Sequence, residues 1–482
     1  MGMSIKKNYT YNFIYQVLLL ALPFVTVPYV SRALGAEGVG VYSYTYSIVY
    51  YFMLVALLGI NNHGNRMVAK ARNDKSKLSR TFWSIYSIQL IMSIMMLMLY
   101  AGYILIFKPD YIIVAIAQIL YIISAMFDIN WFFFGLEEFK ITVARNATVK
   151  LFTVALIFLC VKTPEDVWLY TLIMAGGTLM SQLVLWPFMR GRINRPQLKY
   201  IDIKRHLKPC LVLFIPVVAV SLYKVMDKIM LGLMSGVAEV GYYEQAEKMI
   251  NIPLSLITAL GTVMMPRISF LMERGEKTII LGYVEKSIRF MMFMAFPICF
   301  GLMAVANTFV PIFMGVEFQN SVLLVMLLSP TIIFISFANV LRTQYLIPKE
   351  EDNKYIGSIM AGAVVNLVIN YVLIPVYASA GACVGTILAE FTVMVYQIIV
   401  VRKVLPIKKY LRDSVMFFVK SAIMFGAVMS VNLFKLSEVQ TLLAQVATGI
   451  VVYAVMNYSY VNNLMGGKIK SLVSIGGRSG NK

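Results

Sequence analysis

The sequence has little charge and little of the side-chain chemistry on which soluble enzymes depend. Only 14% of its 482 residues are charged, whereas 60% are hydrophobic. A soluble domain has about 25% charged and about 45–50% apolar residues. The sequence also lacks a GxxxxGK[ST] loop, so we expect no ATP to bind. These deficits exclude a soluble multidomain enzyme, a disordered chain and a disulfide-stapled secreted module.

Cysteine and histidine are also scarce, with four and two residues. The cysteines form no CxxC pair and stand in or beside apolar runs, so we predict that they are small buried hydrophobes. His63 and His206 fall in basic segments that we assign to cytoplasmic loops. We therefore predict no metal site, no cofactor and no catalytic set of residues. The four cysteines are Cys160, Cys210, Cys299 and Cys383.

In place of these residues the sequence has a long series of apolar runs. A helix needs about 20 apolar residues to cross a bilayer. The runs predict an all-α integral membrane protein with fourteen transmembrane helices and almost no extramembrane domain. The predicted spans are residues 11–31, 39–60, 82–107, 111–134, 145–161, 167–189, 210–234, 245–266, 287–310, 322–347, 356–376, 380–401, 414–434 and 440–461.

The basic residues outside the spans predict the orientation. Lys and Arg number 43 and exceed Asp and Glu, which number 23. Segments on the side of the N-terminus hold 33 of the 43, and the opposite loops hold four. Cytoplasmic loops carry the excess of Lys and Arg, so both termini are predicted to be cytoplasmic. Anionic lipid then explains the basic excess, and we expect no nucleic acid partner. We also expect no cleavable signal peptide.

The two halves of the chain resemble each other at matching positions. Gly40-Val41-Tyr42 opens the second span, and Gly241-Tyr242-Tyr243 opens the eighth, 201 residues later. Gly177-Thr178 and Gly385-Thr386 match in the same order. Six spans per half insert both halves the same way up, as in alternating-access transporters built from two parallel repeats. The predicted parts are an N-lobe at 1–190, a C-lobe at 191–403, two further helices at 404–462 and a cytoplasmic tail at 463–482.

Eight charged residues lie at least four residues from either end of a predicted span. An isolated charge at the bilayer centre costs about 2.5–3.5 kcal/mol. These residues must therefore pair, line a wet cavity or reach the interface, as Lys150 and Lys420 can do from near their helix ends. The other six are Asp128, Lys224, Asp227, Lys228, Arg342 and Glu390.

Span seven carries Lys224, Asp227 and Lys228 at positions i, i+3 and i+4, on one helical face. Asp227 can pair with one lysine, which leaves a net positive face inside the membrane. Lysine and arginine bind phosphate oxygens, so this face predicts contact with an anionic substrate. The alternative is a structural ion pair that locks this helix to a neighbour.

Further polar residues extend the predicted site. Arg342 and Asn339 in span ten, and Arg32 at the outer mouth, join the predicted substrate contacts. Asp128 lies at the matching depth of span four. The alternative to a role in gating or ion coupling is a structural salt bridge from Asp128 to Arg342 between the lobes. Glu390 lies in the middle of the twelfth span. A buried carboxylate there suits coupling to a proton or a sodium ion. The alternative is a neutral Glu390 that makes only structural hydrogen bonds. The residues predicted to serve gating or ion coupling are Asp128, Asp227 and Glu390.

Several strings in the sequence resemble motifs of one known family. They are PYVSRALGAEGVGVY at 28–42, DINWFFFGLE at 128–137, and DKIMLG at 227–232 with VGYY at 240–243 and AEK at 246–248. They are similar to Wzx-type oligosaccharide flippases, the polysaccharide-transporter branch of the multidrug/oligosaccharidyl-lipid/polysaccharide exporter superfamily. The resemblance covers essentially the whole chain.

The resemblance implies two six-helix lobes around a central cavity, plus two C-terminal helices. It implies a flippase that turns undecaprenyl-diphosphate-linked oligosaccharide repeat units from the cytoplasmic to the outer face. Export would supply capsule, O-antigen or another surface polymer, with a proton or sodium as coupling ion and a polysaccharide polymerase as a partner.

Three alternatives stay open. A flippase for lipid-linked peptidoglycan precursor would share the architecture. A drug/cation antiporter would need an acidic, aromatic cavity in the N-lobe, where Asp128 is the one clear intramembrane acid. An enzyme would need a large outer loop or a catalytic domain, and the short loops argue against it.

Overall fold

A computed structural model describes residues 5–196, 199, 201–434 and 436–464. The predicted cytoplasmic tail at 463–482 lies outside the described residues from position 465 onward. The described residues form α-helices and no strand, as the apolar runs predict. The helices are α1 (Ile5–Leu57), α2 (Ile60–Ala71), α3 (Lys75–Phe107), α4 (Ile112–Ala117), α5 (Ile119–Met126), α6 (Asn130–Gly135), α7 (Phe139–Cys160), α8 (Val167–Leu183), α9 (Ile203–Met234), α10 (Val237–Glu273), α11 (Lys277–Met314), α12 (Asn320–Leu328), α13 (Thr331–Leu341), α14 (Asp352–Val401), α15 (Ile407–Ser430), α16 (Glu438–Met456) and α17 (Tyr458–Leu464).

Many of these helices are long and apolar enough to cross a membrane. Among the described residues there are eleven such segments, or up to twelve if one bent pair, Val316–Leu328 with Thr331–Leu346, is one span. Two of the eleven, Leu22–Ala71 and Asp352–Val401, have 50 residues each. The prediction of an all-helical, multi-pass membrane protein is confirmed, and the number of fourteen crossings stays a prediction.

Both 50-residue segments contain a residue whose backbone is not helical. Gly35 in α1 has φ 67°, and Ala378 in α14 has φ 49°. Glycine adopts a positive φ without a Cβ clash, whereas alanine does so at a steric cost. Beside Ala378, the backbone N–H of Ser379 donates to Oε2 of Glu239 at 3.2 Å. The two breaks lie between predicted spans one and two and between predicted spans eleven and twelve.

The chain divides into two compact units. The first combines Met1–Lys248 with Ile356–Ala389, and the second combines Met249–Tyr355 with Glu390–Lys482. Helices α10 and α14 therefore contribute residues to both units. The lobe boundaries predicted from the repeat stay a prediction.

Each unit has its own buried apolar core. In the first unit, Phe82 of α3 packs with Trp131 and Phe132 of α6. In the second unit, Met424 of α15 packs with Tyr453 of α16. These cores hold the helices together from within, because lipid gives apolar helices no hydrophobic reason to associate.

Large apolar side chains also cover the outside of the helices. Leu105, Ile106 and Phe107 at the end of α3 are 70–76% exposed. Contiguous exposed apolar surface of this kind is typical of a membrane-facing protein. Three of the four cysteines are buried as predicted, but Cys160, the last residue of α7, is exposed, so the prediction of burial is wrong for that residue.

Candidate substrate and ion site

Helices α1 and α10 approach each other at the two glycines that the repeat pairs. A Cβ on Gly40 would lie 1.7 Å from the carbonyl oxygen of Val237. A Cβ on Gly241 would lie 1.9 Å from the carbonyl oxygen of Ala36. No side chain fits in such a contact, so only glycine lets the two backbones meet. The contact fixes where the first turns of α10 lie relative to α1.

Asp227 of α9 is buried, with 2% of its surface exposed, and neutral side chains hold it. Its Oδ1 accepts a hydrogen bond from Nδ2 of Asn370 at 2.8 Å. Its Oδ2 accepts from the hydroxyls of Tyr243 and Thr386, at 2.9 Å each. The three donors come from α10 and the two halves of α14. We call these four residues the Asp227 cluster.

Two parts of the sequence analysis bear on this cluster. The expected pair between Asp227 and a lysine is wrong, because the hydrogen bonds of its carboxylate in the described structure come from neutral donors. Sequence reasoning also missed Tyr243, Asn370 and Thr386 as its partners. Two signals pointed to them, since Tyr243 lies in the VGYY string and Thr386 in the Gly385-Thr386 repeat match.

Lys228 is bound by two carboxylates of α10. Its Nζ lies 2.5 Å from Oε2 of Glu244 and 2.9 Å from Oε2 of Glu247. Nζ of Lys248 lies 3.1 Å from Oε1 of Glu244. The lysine side chain is 15% exposed and that of Glu244 13%, so the pair is largely shielded from solvent. We call these four residues the Lys228 cluster; it ties α9 to α10.

Lys224 stands in a different environment one helical turn earlier. It is exposed, and the described structure gives it no ion pair. The positive charge of Lys228 is neutralised by its carboxylates. A net positive face on α9 therefore depends on Lys224 more than on Lys228.

Asp128 and Arg145 belong to a second polar network of the first unit. Oδ1 of Asp128 accepts from the backbone N–H of Asn130 at 2.9 Å and from its Nδ2 at 2.7 Å. Nη2 of Arg145 donates to Oδ1 of Asn130 at 2.6 Å, and Nη1 donates to Oε1 of Gln182 at 3.3 Å. Asn130 thus connects the carboxylate to the guanidinium. Sequence reasoning missed Arg145, because it stands at a predicted span boundary and counted as a cytoplasmic residue.

In the second unit, Asn339 and Arg342 lie at the end of α13. Asn339 is buried, and a Cβ on Gly261 of α10 would come within 2.1 Å of its Oδ1. Arg342 opens a π-helical turn, a feature that often marks functional sites. Its Nη1 lies 3.4 Å from the hydroxyl of Tyr355, and its guanidinium stands over that ring at 5.6 Å. The salt bridge between Asp128 and Arg342 would join the two units and stays a prediction.

The two remaining predicted residues differ in exposure. Arg32 is exposed on α1, three residues before the break at Gly35. Glu390 of α14 is 9% exposed. Their predicted roles at the outer mouth and in ion coupling stay predictions.

The two histidines lie inside helices and in contact. His63 of α2 is 6% exposed and His206 of α9 is 4% exposed. Nε2 of His63 lies 2.9 Å from Nδ1 of His206. Their assignment to loops is wrong, because helices continue beyond the apolar runs. One nitrogen of each buried ring is paired with the other ring. In the part of the chain that the structure describes, no group of three His, Cys, Asp or Glu side chains could hold a metal ion.

Long apolar helices, with a largely shielded ion-pair cluster between α9 and α10, define the class of multi-pass membrane proteins. Residues 5–272 match the family described as Polysaccharide biosynthesis protein, which is more than half of the chain. The chain belongs to this family.

Two relatives support the same assignment. A proposed O-antigen transporter of Escherichia coli (strain K12) is 24% identical over 406 residues, which cover 83% of this chain and 97% of the relative. A proposed O-antigen transporter of Shigella dysenteriae is 24% identical over 402 residues, which cover 82% of this chain and 99% of the relative. The resemblance to Wzx-type flippases is confirmed, and the chain is a transporter rather than an enzyme.

Solved structures share the fold. The lipid II flippase MurJ in its inward closed conformation superposes with a TM-score of 0.74 at 15% identity. The match covers 92% of this chain and 100% of the MurJ chain. An inward-facing multidrug resistance MATE family transporter of the MOP superfamily has a TM-score of 0.59 at 12% identity, covering 81% of this chain and 99% of that one. The chain therefore has the fold of this transporter superfamily.

Proposed function

We propose that the protein is a flippase for undecaprenyl-diphosphate-linked oligosaccharide repeat units. It moves them from the cytoplasmic to the outer face of a bacterial inner membrane for surface polysaccharide assembly. The observation that carries the proposal is membership of the polysaccharide biosynthesis family on the fold of a flippase. The relatives proposed as O-antigen transporters support the substrate class.

The proposed architecture has fourteen crossings and two six-helix lobes related by a parallel repeat, with both termini in the cytoplasm. The breaks at Gly35 and Ala378 support this number, because each 50-residue segment then supplies two crossings. Alternating access of the two lobes would expose the site to one face of the membrane at a time.

Lys224 is the proposed first contact for the diphosphate. It is exposed, and a lysine binds phosphate as a point charge. Lys228 would contribute when both Glu244 and Glu247 release it, with Glu244 still paired to Lys248. Arg342, Arg32 and Asn339 complete the proposed contacts on other helices.

The Asp227 cluster is the proposed site of ion coupling. A buried carboxylate held by neutral donors has no basic partner, so a proton or a sodium ion can supply the missing positive charge. Asp128 and Glu390 are further candidates for coupling or gating. A polysaccharide polymerase is the proposed partner that consumes the exported units.

The first test is deletion of the protein in its source strain, with lipid extracts analysed for undecaprenyl-diphosphate-linked repeat units on each membrane face. We expect loss of the surface polymer and units trapped on the cytoplasmic side, both restored by the wild-type gene. Lys224→Gln should restore export only in part. Lys150→Gln, which changes an exposed lysine of α7, should restore it fully.

Other outcomes separate the alternatives. Trapped peptidoglycan precursor would reassign the protein as a flippase for that lipid. Normal polymer with nothing trapped, in a strain with no second flippase gene, would refute the proposal and favour a drug/cation antiporter. Full export by Lys224→Gln at normal protein level would refute the role of Lys224 alone.

A further inference from the structure

A ladder of tyrosines runs along α1. Tyr42, Tyr46 and Tyr50 follow each other at four-residue spacing, which puts them on one face of the helix. The ring centroids of Tyr42 and Tyr46 lie 5.8 Å apart, and those of Tyr46 and Tyr50 lie 6.3 Å apart. All three side chains are partly exposed. We call these three residues the tyrosine ladder.

Two buried tyrosines support one end of the ladder. The hydroxyls of Tyr42 and Tyr121 lie 2.8 Å apart. Tyr121 meets the ring of Tyr46 edge-on at 5.0 Å, and Tyr170 meets the ring of Tyr42 edge-on at 4.8 Å. These contacts fix the orientation of the rings before any ligand arrives.

Packing alone leaves two polar atoms unexplained. In the described structure the hydroxyls of Tyr46 and Tyr50 make no hydrogen bond, although Tyr42 next to them does. A ladder with a purely structural role could use phenylalanine at both positions. Tyrosine is used where one side of a residue is apolar and its tip meets a polar group.

The ladder also lies beside the Lys228 cluster. Tyr46 interacts electrostatically with Lys228 and Glu244, and Tyr170 interacts with Glu244. One region of the first unit therefore combines partly exposed aromatic rings, hydroxyl groups, carboxylates and an ammonium group. A sugar ring has the complementary chemistry, with an apolar C–H face and a rim of hydroxyls.

We infer that the tyrosine ladder is the subsite for the sugar portion of the substrate. This inference rests on the proposed function and adds where the carbohydrate lies. The ring of Tyr46 or Tyr50 stacks on the C–H face of a sugar, and Glu244 and Glu247 accept hydrogen bonds from its hydroxyls. The diphosphate lies at Lys224, one turn from Lys228 on α9.

The test measures binding of two probes to the purified full-length protein in lipid nanodiscs. The first probe is the oligosaccharide released from the surface polymer of the source strain, free of lipid and phosphate. The second is inorganic pyrophosphate. Tyr46→Leu and Tyr50→Leu should each weaken oligosaccharide binding about two- to tenfold, the range for one aromatic contact. Tyr46→Phe should weaken it less than Tyr46→Leu.

A matched variant controls for lost packing. Tyr103→Leu removes a partly buried tyrosine that stacks on Tyr100 of α3 and meets Phe52 of α1. Tyr103 packs against the same apolar cluster as Tyr46 but is not part of the ladder, so this variant should leave oligosaccharide binding unchanged. Pyrophosphate binding should be the same in both ladder variants and should fall in Lys224→Gln.

Three outcomes overturn the inference: no oligosaccharide binding by the wild-type protein, unchanged binding in both ladder variants, or equal weakening by Tyr103→Leu. None of these outcomes bears on the proposed function. That proposal fails instead if the surface polymer is normal after gene deletion.

Discussion

Lys228 illustrates how a charged side chain is accommodated inside a membrane helix. Lys228 contacts two carboxylates, and a second lysine binds one of them. The Lys228 cluster therefore contains two positive and two negative side chains. The expectation of a charged face followed from its position in an apolar run. Its partners did not follow, because Glu244 and Glu247 stand on another helix and spacing along one helix cannot identify them. The same reason hid Arg145, which reaches Asn130 across the turn between α6 and α7.

Breaking the Lys228 cluster should destabilise the protein. Lys228→Met leaves Glu244, whose side chain is 13% exposed, and the partly exposed Glu247 with less positive charge beside them. Removing one partner of a buried pair costs about 3–5 kcal/mol, so we expect a clear fall in the midpoint of thermal unfolding in detergent. The double variant Lys228→Met with Glu244→Gln should recover part of the loss, because one of the stranded carboxylates is then gone.

An exposed ion pair provides the control. Lys349 pairs with Glu351 at 2.8 Å, and its side chain is 45% exposed. Lys349→Met should change stability by less than about 1 kcal/mol. Equal losses for Lys228→Met and Lys349→Met would contradict the view that the Lys228 cluster is a buried structural tie.

At the scale of elements, the sequence predicted the membrane helices well because lipid imposes a length and an apolar composition on each of them. It also predicted the interruptions in α1 and α14, where the apolar runs pause at Gly35 and near Ala378. It failed where helices continue into polar segments, as at His63 and His206, because a helix need not end where lipid ends. For the close approach of α1 to α10, the sequence offered one signal, the glycines that the repeat pairs at positions 40 and 241.

The glycine contact gives a sharp prediction. Gly40→Ala and Gly241→Ala should each prevent correct folding, because the new Cβ would lie under 2 Å from a backbone oxygen. We expect loss of the monodisperse peak in detergent chromatography, together with loss of export.

Gly102→Ala and Gly176→Ala are matched controls, since a Cβ at either position meets nothing within 4 Å. They should fold normally, and alanine in a helix is even favoured over glycine by about 0.5–1 kcal/mol. Normal folding of Gly40→Ala would mean that α1 and α10 are farther apart than described.

For the whole molecule, the sequence predicted the class and family, because both depend on hydropathy and on strings that are local in the chain. It could not predict the two compact units, because α10 and α14 are each divided between them. Such a division depends on contacts between residues that are distant in the sequence. The proposed number of fourteen crossings requires each 50-residue segment to cross twice, and α14 is one of them.

Cysteine labelling in intact cells tests that number. If α14 crosses twice, Lys354→Cys and Lys403→Cys lie on the same side and should both resist a membrane-impermeant maleimide until the cells are permeabilised. Leu433→Cys, an exposed position after α15, should react from outside. The background should be Cys160→Ser, because Cys160 is exposed while the other three cysteines are buried. Opposite behaviour of residues 354 and 403 would leave α14 with one crossing.

Under the proposed coupling, the neutral surroundings of Asp227 determine how many ions each transport cycle uses. In the described structure the Asp227 carboxylate is bound by neutral donors, so under the proposed coupling it takes up one monovalent cation. That cation carries one elementary charge through the membrane field in each cycle, in addition to the charge of the substrate's diphosphate. A potential of 100 mV does about 2.3 kcal/mol of work on one charge. The work on the cation alone corresponds to a roughly fiftyfold accumulation of repeat units on the outer face, since about 1.4 kcal/mol corresponds to a factor of ten.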